Sequence, residues 1–138
     1  MGISRRKLLM GTGIALLSRP LLASTWPARP IRLVVPFAAG GPGDFVARQI
    51  AMPLSRKLGQ PVVVENKPGA GGNLGTQTVL DSEADGYSVL LNTVGMHAVN
   101  PLMFPDLRFQ PRRDLAAVGV IATVPNVLVV HPTKLGVR

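Results

Sequence analysis

Two short apolar runs, each ending in glycines that lead into a helical pattern, constrain this chain more than any other feature. Residues 30–36 place Ile31, Leu33, Val34 and Val35 between two prolines and predict a short buried strand. Phe37-Ala38-Ala39-Gly40-Gly41-Pro42-Gly43-Asp44 follows as a glycine-rich turn. A helical pattern then covers 44–58, with Phe45, Ile50, Leu54 and Leu58 sharing one side and Arg48, Arg56 and Lys57 outward. Pro53 predicts a kink or weak point, and Gly59 the stop. Val62, Val63 and Val64 are β-branched and do not alternate with polar residues, which predicts a strand buried on both faces. Glu65-Asn66-Lys67-Pro68-Gly69-Ala70-Gly71-Gly72-Asn73 is the second glycine-rich loop, and a helix is expected over 73–80. Asp85-Gly86 reads as a turn and 87–92 as a third strand. A further helix is expected within 93–103, ended by Pro101. Residues 115–122 and 126–131 read as two more strands parted by Pro125. Strands alternating with helices predict an α/β unit with a mostly parallel sheet flanked by helices.

The 138 residues suffice for one domain. The mean hydropathy of +0.29 is high for a soluble domain, partly because of the N-terminus. There is no cysteine, which excludes a disulfide framework and a thiolate metal site. The formal net charge of +8 first suggests nucleic acid. Arg5, Arg6, Lys7 and Arg19, however, lie in a segment that reads as an export signal. Without them, 11 Lys and Arg stand against 7 Asp and Glu, a net charge of +4. The remaining charges are scattered and not interleaved with aromatics, so nucleic acid is not an expected partner.

In the N-terminal segment, the basic Arg5-Arg6-Lys7 precedes an apolar run over 8–17, and Leu21-Leu22-Ala23 follows. That order is a secretory signal peptide over 1–23, with cleavage expected after Ala23. The run is too short to span a bilayer, which needs about 20 apolar residues. Ser4-Arg5-Arg6-Lys7-Leu8-Leu9 also resembles a twin-arginine signal, so both export routes remain open. Either predicts a periplasmic product comprising 24–138.

In open α/β sheets, ligands bind beyond the carboxyl ends of the strands. Glycine lets main-chain N–H groups approach a ligand closely, and a helix N-terminus adds partial positive charge. Two such loops side by side would suit a carboxylate or a phosphate. Neither loop is a nucleotide signature. Leu74 stands where the dinucleotide pattern begun by Gly69 and Gly71 needs glycine, and no Walker lysine follows Gly40-Gly41. Asp44 has two readings, a partner for the helix dipole or an acceptor for a ligand; Asn73 likewise caps its helix or faces the site. Thr93 ends the third strand, where its hydroxyl reaches the same crevice. His97 and His131 lack a carboxylate partner pattern, and Asp81, Glu83 and Asp85 read as a solvated turn. With no nucleophile–base set and no metal cluster in the sequence, an enzyme and a cofactor are not expected.

Longer stretches resemble a known family. Trp26-Pro27-Ala28-Arg29-Pro30-Ile31-Arg32-Leu33-Val34-Val35-Pro36-Phe37 resembles the mature start of the Bug family, the periplasmic receptors of tripartite tricarboxylate transporters. Gly40-Gly41-Pro42-Gly43-Asp44 with Ala47-Arg48 resembles its first ligand loop and helix, and the stretch from Leu58 through Asn73 is the most specific match. Asp85-Gly86-Tyr87, Asp114-Leu115-Ala116-Ala117-Val118 and Pro125-Asn126-Val127-Leu128-Val129-Val130-His131-Pro132 match as well. The resemblance implies a two-lobed type II periplasmic-binding-protein fold that takes small carboxylates and works with the membrane components of a transporter. It implies that one ligand carboxylate lies between the two loops, held largely by backbone groups and water. Carried onto this sequence, the candidate ligand-binding residues are Phe37, Gly41, Asp44, Gly69, Ala70, Gly72, Asn73 and Thr93.

Family members are much longer, with a second lobe after the His131-Pro132 stretch. Residues 24–138 are therefore expected to be the partial N-terminal lobe alone. The alternatives are a truncated non-functional paralogue and a phosphate-binding α/β enzyme fragment.

Overall fold

Val34 and Val35 have no solvent exposure at all, which identifies their strand as the centre of the sheet. The computed structural model describes residues 25–125, 127–129 and 131. Strand β1 (Ile31–Val35) is paired in parallel on one side by β2 (Val62–Asn66) and on the other by β3 (Ser88–Leu90), giving the order β2-β1-β3. Leu33 faces Val64 across one ladder and Val89 across the other. All three carboxyl ends therefore lie at one edge of the sheet.

Helix α1 (Pro42–Leu58) packs on β1 and β2. It begins two residues before the sequence-predicted start, because Pro42 occupies the first turn, where its missing N–H is not needed. Its buried residues are Asp44, Ala47 and Ala51. Ala47 lies in a core with Leu33, Val35 and Leu91, against which Phe37, Ile50, Val62, Val64 and Val89 also pack. Phe45, expected on that face, is 63% exposed. One residue beyond Asp44, it is turned about 100° away, as the period of 3.6 requires. Small alanines hold the inner face because they let the helix come close to the sheet. The helix continues through Pro53, which lies on the exposed side, where the carbonyl left without a donor meets water. It ends as expected: Gly59 takes φ 69° and donates its N–H to the Ser55 carbonyl. Ser55 Oγ then accepts from the Val62 N–H at 2.8 Å, joining the helix end to the start of β2.

The sheet corrects the reading of β2. It is an edge strand, and Val63 is 51% exposed. A β-branched run shows that a strand is favoured, not that both of its faces are covered. Helix α2 (Asn73–Leu80) matches its sequence-predicted bounds and packs on β3 and β1. Strand β3 is shorter than expected, although Tyr87 and Leu91 extend its main-chain bonding to Arg32 and Val34. Asp85 Oδ1 accepts from the Tyr87 N–H at 3.0 Å and forms the expected turn with Gly86 at φ 83°.

After β3, a π-helical turn (Gly95–Val99) passes directly into α3 (Asn100–Met103). Pro101 does not end this helix as expected; it lies in the first turn of α3, where no donor is needed. A short α4 (Pro111–Asp114) follows. The strand expected over 115–122 is absent. Residues 116–125 are all exposed, with Val118 at 90% and Val120 at 87%. Their apolar pattern suits a strand, but a strand needs a neighbour to bond with, and none lies beside this segment among the described residues. Residues 127–129 and 131 also form no strand; the rest of that expected element and the whole expected signal peptide lie outside the described residues.

Candidate functional site

The first loop, after β1, is built around a buried carboxylate. Asp44 is 4% exposed. Its Oδ2 accepts from the Gly40 N–H at 2.9 Å and from Arg48 Nε at 3.0 Å. Its Oδ1 accepts from Asn66 Nδ2 at 3.0 Å. The same Asn66 amide donates to the Phe37 carbonyl at 3.1 Å. Asn66 ends β2, so one side chain ties the second strand to both ends of the first loop. The Phe37 ring lies over the first turn of α1, where a Cβ on Gly43 would fall 2.6 Å from it. Gly41 donates its N–H to the Ala38 carbonyl and so closes a turn.

These contacts settle the charge of Asp44. The Arg48 guanidinium, the Gly40 N–H and the Asn66 amide hold its carboxyl down at about 2, against an ordinary 3.8. The fold thus favours the charged form, which stabilises the native state above the ordinary carboxylate range. That contribution is lost as pH falls from about 3.8 towards about 2. We expect Asp44→Asn to be less stable than the parent at neutral pH and to lose less stability across this acid window. Glu65, Asp85 and Asp114 are also held below their usual values by neighbouring cations and N–H groups, so some acid sensitivity remains. Urea unfolding of both proteins at several pH values checks this; identical pH profiles would rule it out.

The second loop, after β2, is a left-handed turn. Gly69, Ala70, Gly71 and Gly72 have φ of 137°, 46°, 64° and 91°. The Gly72 N–H donates to the Gly69 carbonyl at 2.9 Å. Three of the four are glycine, which takes positive φ without steric cost; Ala70 does so under strain. Among the described residues, the N–H groups of Ala70 and Gly71 have no main-chain partner.

An asparagine holds this loop as well. Asn100, 8% exposed, donates from Nδ2 to the Gly71 carbonyl at 2.9 Å and to Asn73 Oδ1 at 2.7 Å. Each loop is thus tied to the next strand–helix unit by one amide, which binds a loop carbonyl and the side-chain oxygen of a residue in the following helix's first turn. Asn66 and Asn100 were not among the sequence candidates. The signal available was position: Asn66 ends an apolar strand and Asn100 precedes a proline.

Thr93, after β3, is exposed; its Oγ1 accepts from the Met96 N–H at 3.4 Å. It borders a shallow cavity of about 230 Å³ with Asn92 and His97. Asn73 borders a second cavity, of about 340 Å³, with Gln77, Phe104, Asp106, Arg108 and Phe109. Phe37, Gly41, Asp44, Gly69, Ala70, Gly72, Asn73 and Thr93 all follow the carboxyl ends of the three parallel strands or start the helices after them.

Residues 46–135 match the profile of the tripartite tricarboxylate transporter family receptor. The chain belongs to this receptor family. Protein BugT of Bordetella pertussis is 42% identical over 135 residues, covering 96% of this chain and 41% of BugT. MatC from Rhodopseudomonas palustris, solved with bound malate, superposes with a TM-score of 0.62 at 40% identity, over 64% of this chain and 30% of MatC. A second R. palustris protein, solved with adipate, gives a TM-score of 0.60 at 41% identity, over 63% of this chain and 29% of that one. The chain therefore spans well under half the length of the relatives it matches. The parallel sheet with its helices is part of the periplasmic binding protein fold, and the family is one of solute receptors rather than enzymes.

Proposed function

We propose that these residues form the first lobe of a periplasmic receptor that captures a small carboxylate and delivers it to the membrane components of a tripartite transporter. The observation that carries this reading is the left-handed turn Gly69–Gly72 at the start of α2, beside the first glycine loop at the same sheet edge. Successive N–H groups lining the concave side of such a turn make an anion site, and the helix N-terminus adds partial positive charge. The N–H groups of Ala70 and Gly71 supply the donors, whereas those of Gly41 and Gly72 close turns. Asp44, with both oxygens already accepting, holds the first loop in shape rather than meeting the ligand. Phe37 walls the site through its ring, and Thr93 offers a hydroxyl from the third strand end.

The ligands of the two R. palustris structures, malate and adipate, support the substrate class. Export through the N-terminal segment belongs to the same proposal. Titration of the ¹⁵N-labelled chain with adipate tests it. The amide resonances of Ala70 and Gly71 are expected to move, together with those of the first loop. Shifts confined to the far ends of the strands, or none at tens of millimolar ligand, would refute the reading.

A further inference from the structure

The two asparagine ties differ in what they leave free. In the first loop, Asn66 takes one oxygen of Asp44, and Gly40 and Arg48 take the other, so both carboxylate oxygens are already engaged. In the second loop, Asn100 takes the Oδ1 of Asn73, and the Asn73 Nδ2 has no partner among the described residues.

The direction of that bond follows from chemistry. A main-chain carbonyl accepts and never donates, so the Asn100 atom 2.9 Å from the Gly71 carbonyl must be its NH₂. The second hydrogen of that NH₂ goes to Asn73, 2.7 Å away, which must therefore present its oxygen. The Asn73 amide is then oriented with both of its own hydrogens free. We propose that Asn100 is a positioning residue that fixes Asn73 as a donor, so that the second loop selects a hydrogen-bond acceptor such as a carboxylate and disfavours a ligand ammonium, which can only donate. Asn100 is buried and does not itself meet the ligand. It acts through the Asn73 side chain, which borders the cavity shared with Gln77 and Arg108. The inference rests on the carboxylate reading above and adds the origin of its polarity.

The test uses the side-chain amide resonances of the ¹⁵N-labelled 138-residue chain. Without ligand, the two Asn100 amide protons are expected to exchange slowly with water and those of Asn73 quickly. On titration with adipate, the Asn73 NH₂ resonance is expected to move with the loop amides, and to move far less with 1,4-diaminobutane, whose ammonium groups only donate. In Asn100→Asp, a carboxylate replaces the donor and the Asn73 amide turns its nitrogen towards it. The Asn73 shift with adipate should then fall by about tenfold, the scale of one lost bond to a charged group. If the loop amides respond to adipate and the Asn73 NH₂ does not, the inference fails and the carboxylate reading stands. An unchanged Asn73 response in Asn100→Asp also overturns the inference. If neither the loop amides nor Asn73 respond, both fall. Should Asn100→Asp not fold, the exchange rates and the comparison of adipate with 1,4-diaminobutane in the parent chain decide the matter.

Discussion

Gly75→Ala is expected to destabilise the fold by about 2 kcal/mol, and Gly75→Val to prevent folding. Gly75 lies inside α2, and a Cβ there would sit 2.9 Å from Pro36 Cβ, 3.1 Å from Pro36 Cα and 3.0 Å from the Lys67 carbonyl oxygen. None of these atoms belongs to a flexible side-chain end. Pro36 follows the central strand, and Lys67 donates its N–H to the Val35 carbonyl at 2.8 Å, so both are held by the sheet. Alanine is the better helix former by about 1 kcal/mol. Overpacking a fixed site costs about 1–3 kcal/mol and occasionally more, so the steric effect outweighs the propensity. Valine adds two further methyl groups to the same space. Gly119→Ala is the control, since nothing lies within 4 Å of its Cβ position. Urea unfolding of the three variants and the parent decides the point. Equal midpoints for Gly75→Ala and Gly119→Ala would show that α2 does not rest on Pro36 as described.

This close approach also explains which parts of the molecule were legible in the sequence. Local signals were readable because local chemistry decides them. Glycine at 59 ends α1 through its own backbone, and the apolar run at 31–35 is buried because no polar side chain but Arg32 interrupts it. The family stretches Gly40–Asp44 and Leu58–Asn73 located the first and the second loop respectively. What covers a residue was not readable. The three valines of β2 looked buried on both faces, yet β2 is at the edge, and strand order depends on how the whole chain winds. The apolar residues at 115–122 suit a strand, but the neighbour that would make them one is not beside them among the described residues. Asn66 and Asn100 were missed because their partners are 29 and 22 residues away in the first case, and 29 and 27 in the second. Asp44 was read as cap or ligand acceptor; only the fold shows that three donors already occupy it.

The 138 residues by themselves are expected to bind malate or adipate at millimolar concentration or more weakly. On the proposed reading, the donors are the N–H groups of Ala70 and Gly71, the Asn73 amide and the Thr93 hydroxyl. Gly69, Ala70, Gly71 and Thr93 are exposed, so water competes for each bond a ligand would make. A typical hydrogen bond then contributes about 0.5–1.5 kcal/mol, and one to a charged group about 1.5–3 kcal/mol. Association costs about 4–15 kcal/mol in lost translational and rotational freedom. A few exposed bonds offset the lower part of that range and leave little surplus, whereas a dissociation constant of about 1 mM already needs a net −4.1 kcal/mol. Micromolar affinity requires about twice that, which means removing the ligand from water on its other side as well. A surface that supplied this cover would strengthen every existing bond without changing the loops, because the same donors act more strongly in a less polar surrounding. Calorimetry and NMR titration of the chain, with its monomeric state checked by light scattering, measure the affinity directly. Micromolar carboxylate binding by the monomer would show that the two loops enclose their ligand without further cover and that the site is not one-sided.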